Sequence, residues 1–350
     1  MKLLVTGGTG YLGSEVVPRL LARGHDLLVL TREKRESLHP RLQYITADIT
    51  QDHPNYRPID GILHMAALTS LRRKRTEEDF LRPNVQGTIN MGSLARQYGV
   101  PFYYVSTLYV SGTFGAYFTE EDFSVGQDWK NPYERSKFAA ESWIRTNVPD
   151  YVIFRPGILL GRYHDGGSSA FEGFYRPLKA IVFCEQVAEG RLGLPSRRSL
   201  EGFLHLPPMS LPIKIKGSPE STLALTPVDS AAEAIARRID DRNIGRTFHL
   251  APKVAPTNEQ VASAVREALH ITGLAFAPSG GKDPLSITYN RLVSDFLPYL
   301  TGHAQYQTSI APDEIPAIDT EYLMRVINYW RRMEDTYAYL PQGARGEVAV

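Results

Sequence analysis

The sequence predicts an α/β protein built on a doubly wound parallel sheet, with a smaller, mostly helical C-terminal region. Three observations predict it. A glycine-rich turn, TGGTGYLG from Thr6 to Gly13, joins an apolar run to a segment of helical periodicity. Short apolar runs then alternate with amphipathic segments as far as residue 160, the pattern that gives a parallel sheet covered by helices on both faces. Beyond Gly161 the texture changes to loops, proline-rich stretches and helices.

In chain order, KLLVTG reads as a buried strand, YLGSEVVPRLLARGH as a helix ending at Gly24, and DLLVLTR as the second strand, together one βαβ unit. Between them Gly7, Gly10 and Gly13 leave the backbone bare at a helix N-terminus, where free amides and the helix dipole favour an anion. In this context the anion expected is the pyrophosphate of a dinucleotide; a plain glycine-rich turn is the alternative. LQYITADI, DGILHMAA, FYYVST and YVIFRPG are the later strand candidates, separated by helical patterns around Phe80 to Tyr98 and Pro132 to Asn147.

After the sheet, Gly161 to Ala170 carries three glycines and two serines and is expected to be a mobile loop that closes over a ligand. LPSRRSLEGFLHLPPMSLP reads as irregular, and Asn258 to Leu269, Leu285 to Leu300 and Thr320 to Met333 as helices. The apolar stretch Ala170 to Phe183 serves either as a tunnel wall or as an ordinary buried helix face, and the second is expected. The domain expectation is a nucleotide-binding core over 1–160, rejoined by 211–250, a second region over 161–210 and 251–340, and a flexible tail over 341–350.

With 350 residues, 43% of them hydrophobic, the chain can bury one large core or two joined ones. Its 39 basic and 38 acidic residues give no overall attraction to nucleic acid or an anionic membrane. The single Cys184 forms no intramolecular disulfide, and no Cys/His cluster has zinc-site spacing, so no metal is expected. Met1 leads directly into a strand, and no apolar run is long enough to span a bilayer. The expectation is a soluble, cytoplasmic protein with neither nucleic-acid nor membrane partners.

The second strand ends at Leu30, Thr31 and Arg32, nineteen residues past Gly13, where an acidic side chain suits a ribose hydroxyl and an arginine a 2′-phosphate. Arg32 therefore points to NADP, although Glu33 keeps a solvated basic turn open as the alternative. In NPYERSK, Tyr133 and Lys137 stand four apart on one helix face. A nearby ammonium is expected to lower the phenol's pKa and make it an acid–base catalyst. Ser106 and Thr107 end the preceding strand, where one of these hydroxyls can meet a substrate oxygen or simply satisfy local backbone.

Together, TGGTGYLG, HMAA at His64 to Ala67, PNVQGT with Asn84, VST ending at Thr107, the Tyr133 to Lys137 pair and FRPG at Phe154 to Gly157 resemble the extended short-chain dehydrogenase/reductases over roughly Met1 to Leu250. The resemblance implies a Rossmann core in which Gly7, Thr9, Gly10 and Gly13, with the amides of Tyr11 or Leu12, hold the pyrophosphate. It implies Arg32 at the 2′-phosphate, Asp48 and Ile49 beside the adenine, Ala66 and Ala67 along the cofactor, and Pro156 near the nicotinamide. Thr107, Tyr133 and Lys137 would be the catalytic set, with Tyr133 and Lys137 also touching the NADPH/NADP cofactor, and His64 packed nearby as neither base nor metal ligand.

Within that superfamily the insert GTFGAYFTEEDFSVGQDWKNPYERSKFAAE looks like the thioester reductase branch, which includes carboxylic acid reductases and the reductive release domains of peptide synthetases. LPIKIKGSPESTLALTPVDSAAEAIA, with Asp229 opening a helix, resembles it too. The implied reaction is NADPH-dependent reduction of an acyl thioester or aldehyde, with the C-terminal region taking the substrate. The sequence shows no adenylation or carrier domain, so the acyl group would arrive on a separate acyl carrier protein or as a coenzyme A ester. Arg72, Arg73, Lys74 and Arg75 offer a docking patch, or simply the solvated start of a helix. A nucleotide-sugar epimerase or dehydratase, a simple ketone or aldehyde reductase and a non-catalytic dinucleotide sensor are the rival readings, and both monomer and homodimer remain open.

Overall fold

Seven apolar runs form one sheet in the computed structural model, which describes residues 1–51, 53–69, 75–190, 207–241, 243–302 and 305–339. They are β1 (Lys2–Thr6), β2 (Asp26–Thr31), β3 (Leu42–Thr46), β4 (Gly61–His64), β5 (Phe102–Val105), β6 (Tyr151–Pro156) and β7 (Arg246–Leu250). Their spatial order is β3-β2-β1-β4-β5-β6-β7, and every pairing is parallel. The winding reverses between β1 and β4, the position at which open α/β sheets leave a crevice for ligands. Alternation along each strand buries both faces. Leu3, Val5, Leu27 and Val29 point into one core layer, and Leu4, Leu28 and Leu30 into the other.

Among the described residues the helices of eight or more residues are α1 (Tyr11–Ala22), α2 (Gly87–Tyr98), α3 (Pro132–Asn147), α4 (Tyr175–Ala188), α5 (Val228–Asp240), α6 (Asn258–Leu269), α7 (Pro284–Leu292) and α8 (Thr320–Tyr339). α1 and α5 contribute to the first core layer, α2 and α3 to the second. Local chemistry sets several ends. Asn131 caps α3 by accepting the Glu134 amide at 3.0 Å, with Pro132 at the first helical position. Thr257 and Gln260 form a capping box for α6. α2 is not the single helix expected from Phe80, because a π-turn over Leu81–Gln86 precedes it. The helix expected over Leu285 to Leu300 stops at Leu292, and a separate 3₁₀ turn containing Pro298 follows at Leu297–Leu300.

By its internal contacts the chain divides into two units. The first comprises Met1–Leu159, Thr226–Lys253 and Ala304–Pro316 and contains the sheet; the second comprises Leu160–Leu225, Val254–His303 and Ala317–Val350. Residues 211–225 thus fall in the second unit and 304–316 in the first. The second unit is mostly helical, with α8 packed on α6 and α4 on α7, and two short parallel strand pairs. The buried face of α4 carries Leu178, Ile181 and Cys184. Most of the irregular stretch from Leu194 and the tail from 341 lie outside the described residues.

The segment after Gly161 differs from the mobile loop expected of its composition. Gly161 donates to the Tyr175 hydroxyl at 3.1 Å and accepts from the Tyr322 hydroxyl at 2.6 Å. Arg162 and the Gly166–Gly167 corner exchange backbone bonds of 2.8 Å, and a Cβ on Gly166 would lie 2.5 Å from the Arg325 carbonyl. Long-range fastening by two tyrosines and α8 makes this a closed turn within its unit.

Two histidines are buried without charge. Burial, then the Lys137 charge, lowers His64 to about 3; burial, then Arg155, lowers His249 to about 3. Each folded-state value lies below the unfolded value of about 6.5, so the stability they contribute is present at pH 7 and is lost as pH falls from about 6.5 toward 3. Unfolding free energy measured in urea should therefore drop between pH 6.5 and 5 by roughly 1.4 kcal/mol per pH unit per histidine; a flat profile over that range would contradict it. Glycine packing gives a second expectation. A Cβ on Gly13 would sit 2.2 Å from the Gly7 carbonyl oxygen, whereas one on Gly10 would meet only that oxygen, at 3.3 Å. Gly13→Ala should cost about 1–3 kcal/mol as overpacking, and Gly10→Ala no more than about 1 kcal/mol; equal urea midpoints for the two variants would refute the assignment.

Candidate active site

The glycine turn divides its work among three positions. Gly7 adopts φ +72°, and a Cβ there would lie 2.6 Å from the Ala66 amide nitrogen. Gly13 lets α1 approach the turn, as its contacts with Gly7 and Gly8 show. Gly10, exposed like Thr9, is the N-cap of α1 and has no side chain to cap the first turn that begins at Tyr11 and Leu12. A bare cradle at a helix N-terminus fits a pyrophosphate.

Across the switch point, Ala66 and Ala67 follow β4 half-buried, and the Ala66 amide donates to the Thr6 hydroxyl at 3.2 Å. His64 below them stays in one tautomer, because Thr88 donates its own proton to the Asn84 carbonyl and accepts from His64 Nε2 at 3.0 Å. His64 Nδ1 then accepts from Thr6 at 2.6 Å. On the other side, Arg32 is exposed at the end of β2. Hydrogen bonds from Thr50, and then the Arg82 and Arg32 charges, hold the Asp48 carboxyl below its ordinary range. Ile49 is fixed by the Asn90 amide, which donates to its carbonyl at 2.9 Å, and by Gly87, where a Cβ would lie 2.7 Å from the isoleucine. Arg32 and Arg82 give this end of the site two guanidiniums, a donor set suited to a phosphate.

Of the two hydroxyls at the end of β5, Thr107 meets the tyrosine. Its side chain hydrogen-bonds the Tyr133 phenol, lies 3.4 Å from the Pro156 carbonyl and accepts the Tyr109 amide at 3.3 Å. Ser106 turns the other way and donates to Glu141 at 2.7 Å. Lys137 is buried one turn beyond Tyr133, but its Nζ donates to the Val105 carbonyl at 2.6 Å and lies 4.2 Å from the centre of the Tyr104 ring. The expected lowering of the phenol's pKa by this lysine is therefore not what the side chains do. Burial pushes Tyr133 above its ordinary value, and Thr107 is the group opposing it. Burial also lowers Lys137 to about 7, against the pull of Glu141.

Sequence reasoning missed the residues that brace this set. Asn84, quoted only as part of a motif, accepts the Leu68 amide at 2.6 Å and donates to the Leu68 carbonyl and the Ser136 hydroxyl at 3.0 and 2.9 Å. It thereby ties the loop after β4 to α3. Arg82 was masked by its place in an apparently ordinary helix. Glu141 stands four residues after Lys137, a spacing visible in the sequence, but its partner Arg155 comes from a different element, the strand β6.

A sequence profile of the NAD dependent epimerase/dehydratase family matches residues 3–182. A putative UDP-glucose 4-epimerase from Methanocaldococcus jannaschii is 26% identical over 180 residues, which cover 47% of this chain and 57% of that protein. The chain thus spans little more than half the length of this curated relative. Among solved structures, the terminal R domain from the myxalamid PKS-NRPS biosynthetic pathway superposes with a TM-score of 0.70 at 21% identity, covering 95% of this chain and 91% of that one. MoeE5 in complex with UDP-glucuronic acid and NAD superposes with a TM-score of 0.64 at 19% identity, covering 95% and 100%. Such identities establish a shared fold. The profile match extends over half of the sequence, from β1 through the tyrosine–lysine helix, and the chain belongs to the NAD dependent epimerase/dehydratase family of extended short-chain dehydrogenase/reductases, whose members bind a nicotinamide cofactor.

Proposed function

We propose that the protein is an NADPH-dependent reductase of an acyl thioester or aldehyde. The observation that carries this reading is the placement of the Tyr133 phenol against the Thr107 hydroxyl, just past the carboxyl end of β5. A phenol held protonated is equipped to give a proton to a developing alkoxide, the need of a reductase. The thioester class rests on the resemblance of residues 112–141 and 211–236 to thioester reductases. NADP is favoured over NAD by Arg32 and Arg82, exposed guanidiniums beside Asp48.

NADPH, when bound, would supply the hydride. The glycine turn and the first amides of α1 would hold its pyrophosphate, and Arg32 with Arg82 its 2′-phosphate. Thr107 and Tyr133 grip the carbonyl oxygen and Tyr133 transfers its proton there as negative charge develops. Lys137 donates one proton to the Val105 carbonyl and would offer another to the ribose. A thioester gives a hemithioacetal that collapses to thiol and aldehyde, and a second cycle gives the alcohol. The acyl group arrives on coenzyme A or a carrier protein; Arg72, Arg73 and Lys74, the core of the suggested docking patch, lie outside the described residues. Among the described residues no helix is long and apolar enough to cross a membrane, and no group of three His, Cys, Asp or Glu is placed to hold a metal. The family match favours nucleotide-sugar epimerisation as a second reading, and tightly retained NAD in purified protein would select it.

Cofactor preference tests the nucleotide assignment. NADPH should be used in preference to NADH, and Arg32→Asp should reverse the order, a change of about 1–3 kcal/mol for a charge-assisted contact; equal kcat/KM for the two cofactors in the unmodified protein would rule it out. Tyr133→Phe should keep NADPH affinity while kcat on coenzyme A thioesters and aldehydes falls roughly 100- to 10,000-fold. Lys137→Ala should lose both rate and affinity. Near-full turnover by Tyr133→Phe on every substrate reduced would overturn the mechanism.

A further inference from the structure

Behind the Thr107–Tyr133 pair lies a charged cluster that the proposed chemistry does not itself use. Glu141 is fully buried. Its carboxylate accepts from Ser106 at 2.7 Å, from Arg155 Nη2 at 2.5 Å and from Arg145 Nε and Nη2 at 3.0 and 2.9 Å. Arg155, equally buried, donates through Nη1 to the Asp122 carbonyl at 2.9 Å and to His249 Nε2 at 3.1 Å, while His249 Nδ1 donates to the Gln307 carbonyl at 2.6 Å. Burying such charges costs several kcal/mol per ion and often adds nothing to stability over apolar residues of the same volume. Their placement suggests another use. From one face of α3, Lys137 binds the Val105 carbonyl and Glu141 the Ser106 hydroxyl, so adjacent residues at the end of β5 are gripped one helical turn apart. The next residue is Thr107, and Ser106 is tied on its far side to the Phe154 carbonyl at 2.6 Å.

We propose that Glu141 is a positioning residue: through Ser106 it sets the alignment of Thr107 with Tyr133, and through its charge it keeps Lys137 an ammonium. This rests on the catalytic assignment above. The second role follows from placement, since Lys137 and Glu141 are buried four residues apart on one face of α3. Neutral His64 faces Lys137 from β4, the Tyr104 ring and Val105 carbonyl from β5 and Glu141 from α3, with cationic Arg145 on α3 and Arg155 on β6 held behind Glu141, and neutral His249 behind Arg155. Glu141 is the opposing negative charge in this set, since burial alone carries Lys137 downward. Arg155, with Arg145 and Ser106, holds Glu141 itself ionised at about 2 despite burial.

Three variants separate the two roles, with kcat and NADP⁺ affinity followed across pH. Glu141→Gln keeps the shape and removes the charge. It should move the alkaline limb of both kcat and NADP⁺ binding at least about one pH unit lower, the scale of losing an opposite charge nearby. Glu141→Asp should return the limb toward its original position while kcat stays depressed, because the shorter side chain loosens the Ser106 contact. Ser106→Ala should leave the limb in place and lower kcat, up to about 100-fold for a displaced reacting group. A folded Glu141→Gln protein with its limb unmoved overturns the charge role, and Ser106→Ala at full kcat overturns the alignment role, a result available even if Glu141→Gln fails to fold. Unmodified protein that binds NADP⁺ but reduces nothing refutes the reductase reading alone, since the binding limb still reports Lys137; unmodified protein that binds no NADP⁺ overturns both.

Discussion

Everything in the site depends on the sidedness of a wholly parallel sheet. Seven strands running one way place all their carboxyl ends along a single edge. The glycine turn leaves β1, Arg32 follows β2, Asp48 and Ile49 follow β3, Ala66 and Ala67 follow β4, Thr107 follows β5 and Pro156 ends β6. Residues scattered over 150 positions become neighbours because each occupies the same place relative to its own strand. The reversal of winding between β1 and β4 then separates the loops around a crevice, so that the nucleotide-binding turn and the reacting hydroxyls can share one ligand.

How much of this was legible in the sequence follows the range of the forces involved. α3 could be read almost to the residue, because Asn131, Pro132 and the i, i+4 spacing are local signals. The glycine turn was equally plain, since positive φ and close approach leave a compositional mark. The direction of the Lys137 ammonium was not legible. It is decided by the Val105 carbonyl, 32 positions away in sequence, and by a burial that no spacing encodes. The division of labour between Ser106 and Thr107 also needed the structure, because the choice turns on a carboxylate from α3. The glycine-rich segment after Gly161 looked loose on composition, and its fastening by Tyr322 comes from the far end of the chain.

The second core layer carries an unusual load for a helix–sheet interface. α3 presents Lys137, Glu141 and the buried Glu134 toward the protein, and each brings a desolvation cost that hydrogen bonds must offset. Glu134 accepts the Lys130 amide at 2.9 Å, and Lys130 in turn donates to the Gly112 carbonyl at 2.8 Å. The long connection between β5 and α3 is held by these polar contacts and by aromatic stacking, such as Phe123 on Phe138 at 4.4 Å between ring centres. Charge and ring packing together give a loop-rich stretch the fixed geometry a reacting tyrosine requires.

The π-turn at Leu81–Gln86 has a consequence for how this segment tolerates insertions and deletions. A π-turn is an α-helix with one residue too many, accommodated by widening a single turn. Removing any one residue from it would let an uninterrupted α-helix form, a gain in local hydrogen bonding. Everything on its N-terminal side would then rotate by about 100° about the helix axis. Asn84, which clasps Leu68 and Ser136 at once, depends on the widened turn for its direction. A shorter and locally more regular helix would uncouple the loop after β4 from α3, so chain length here is constrained by the angular position of one amide and not by the helix that contains it.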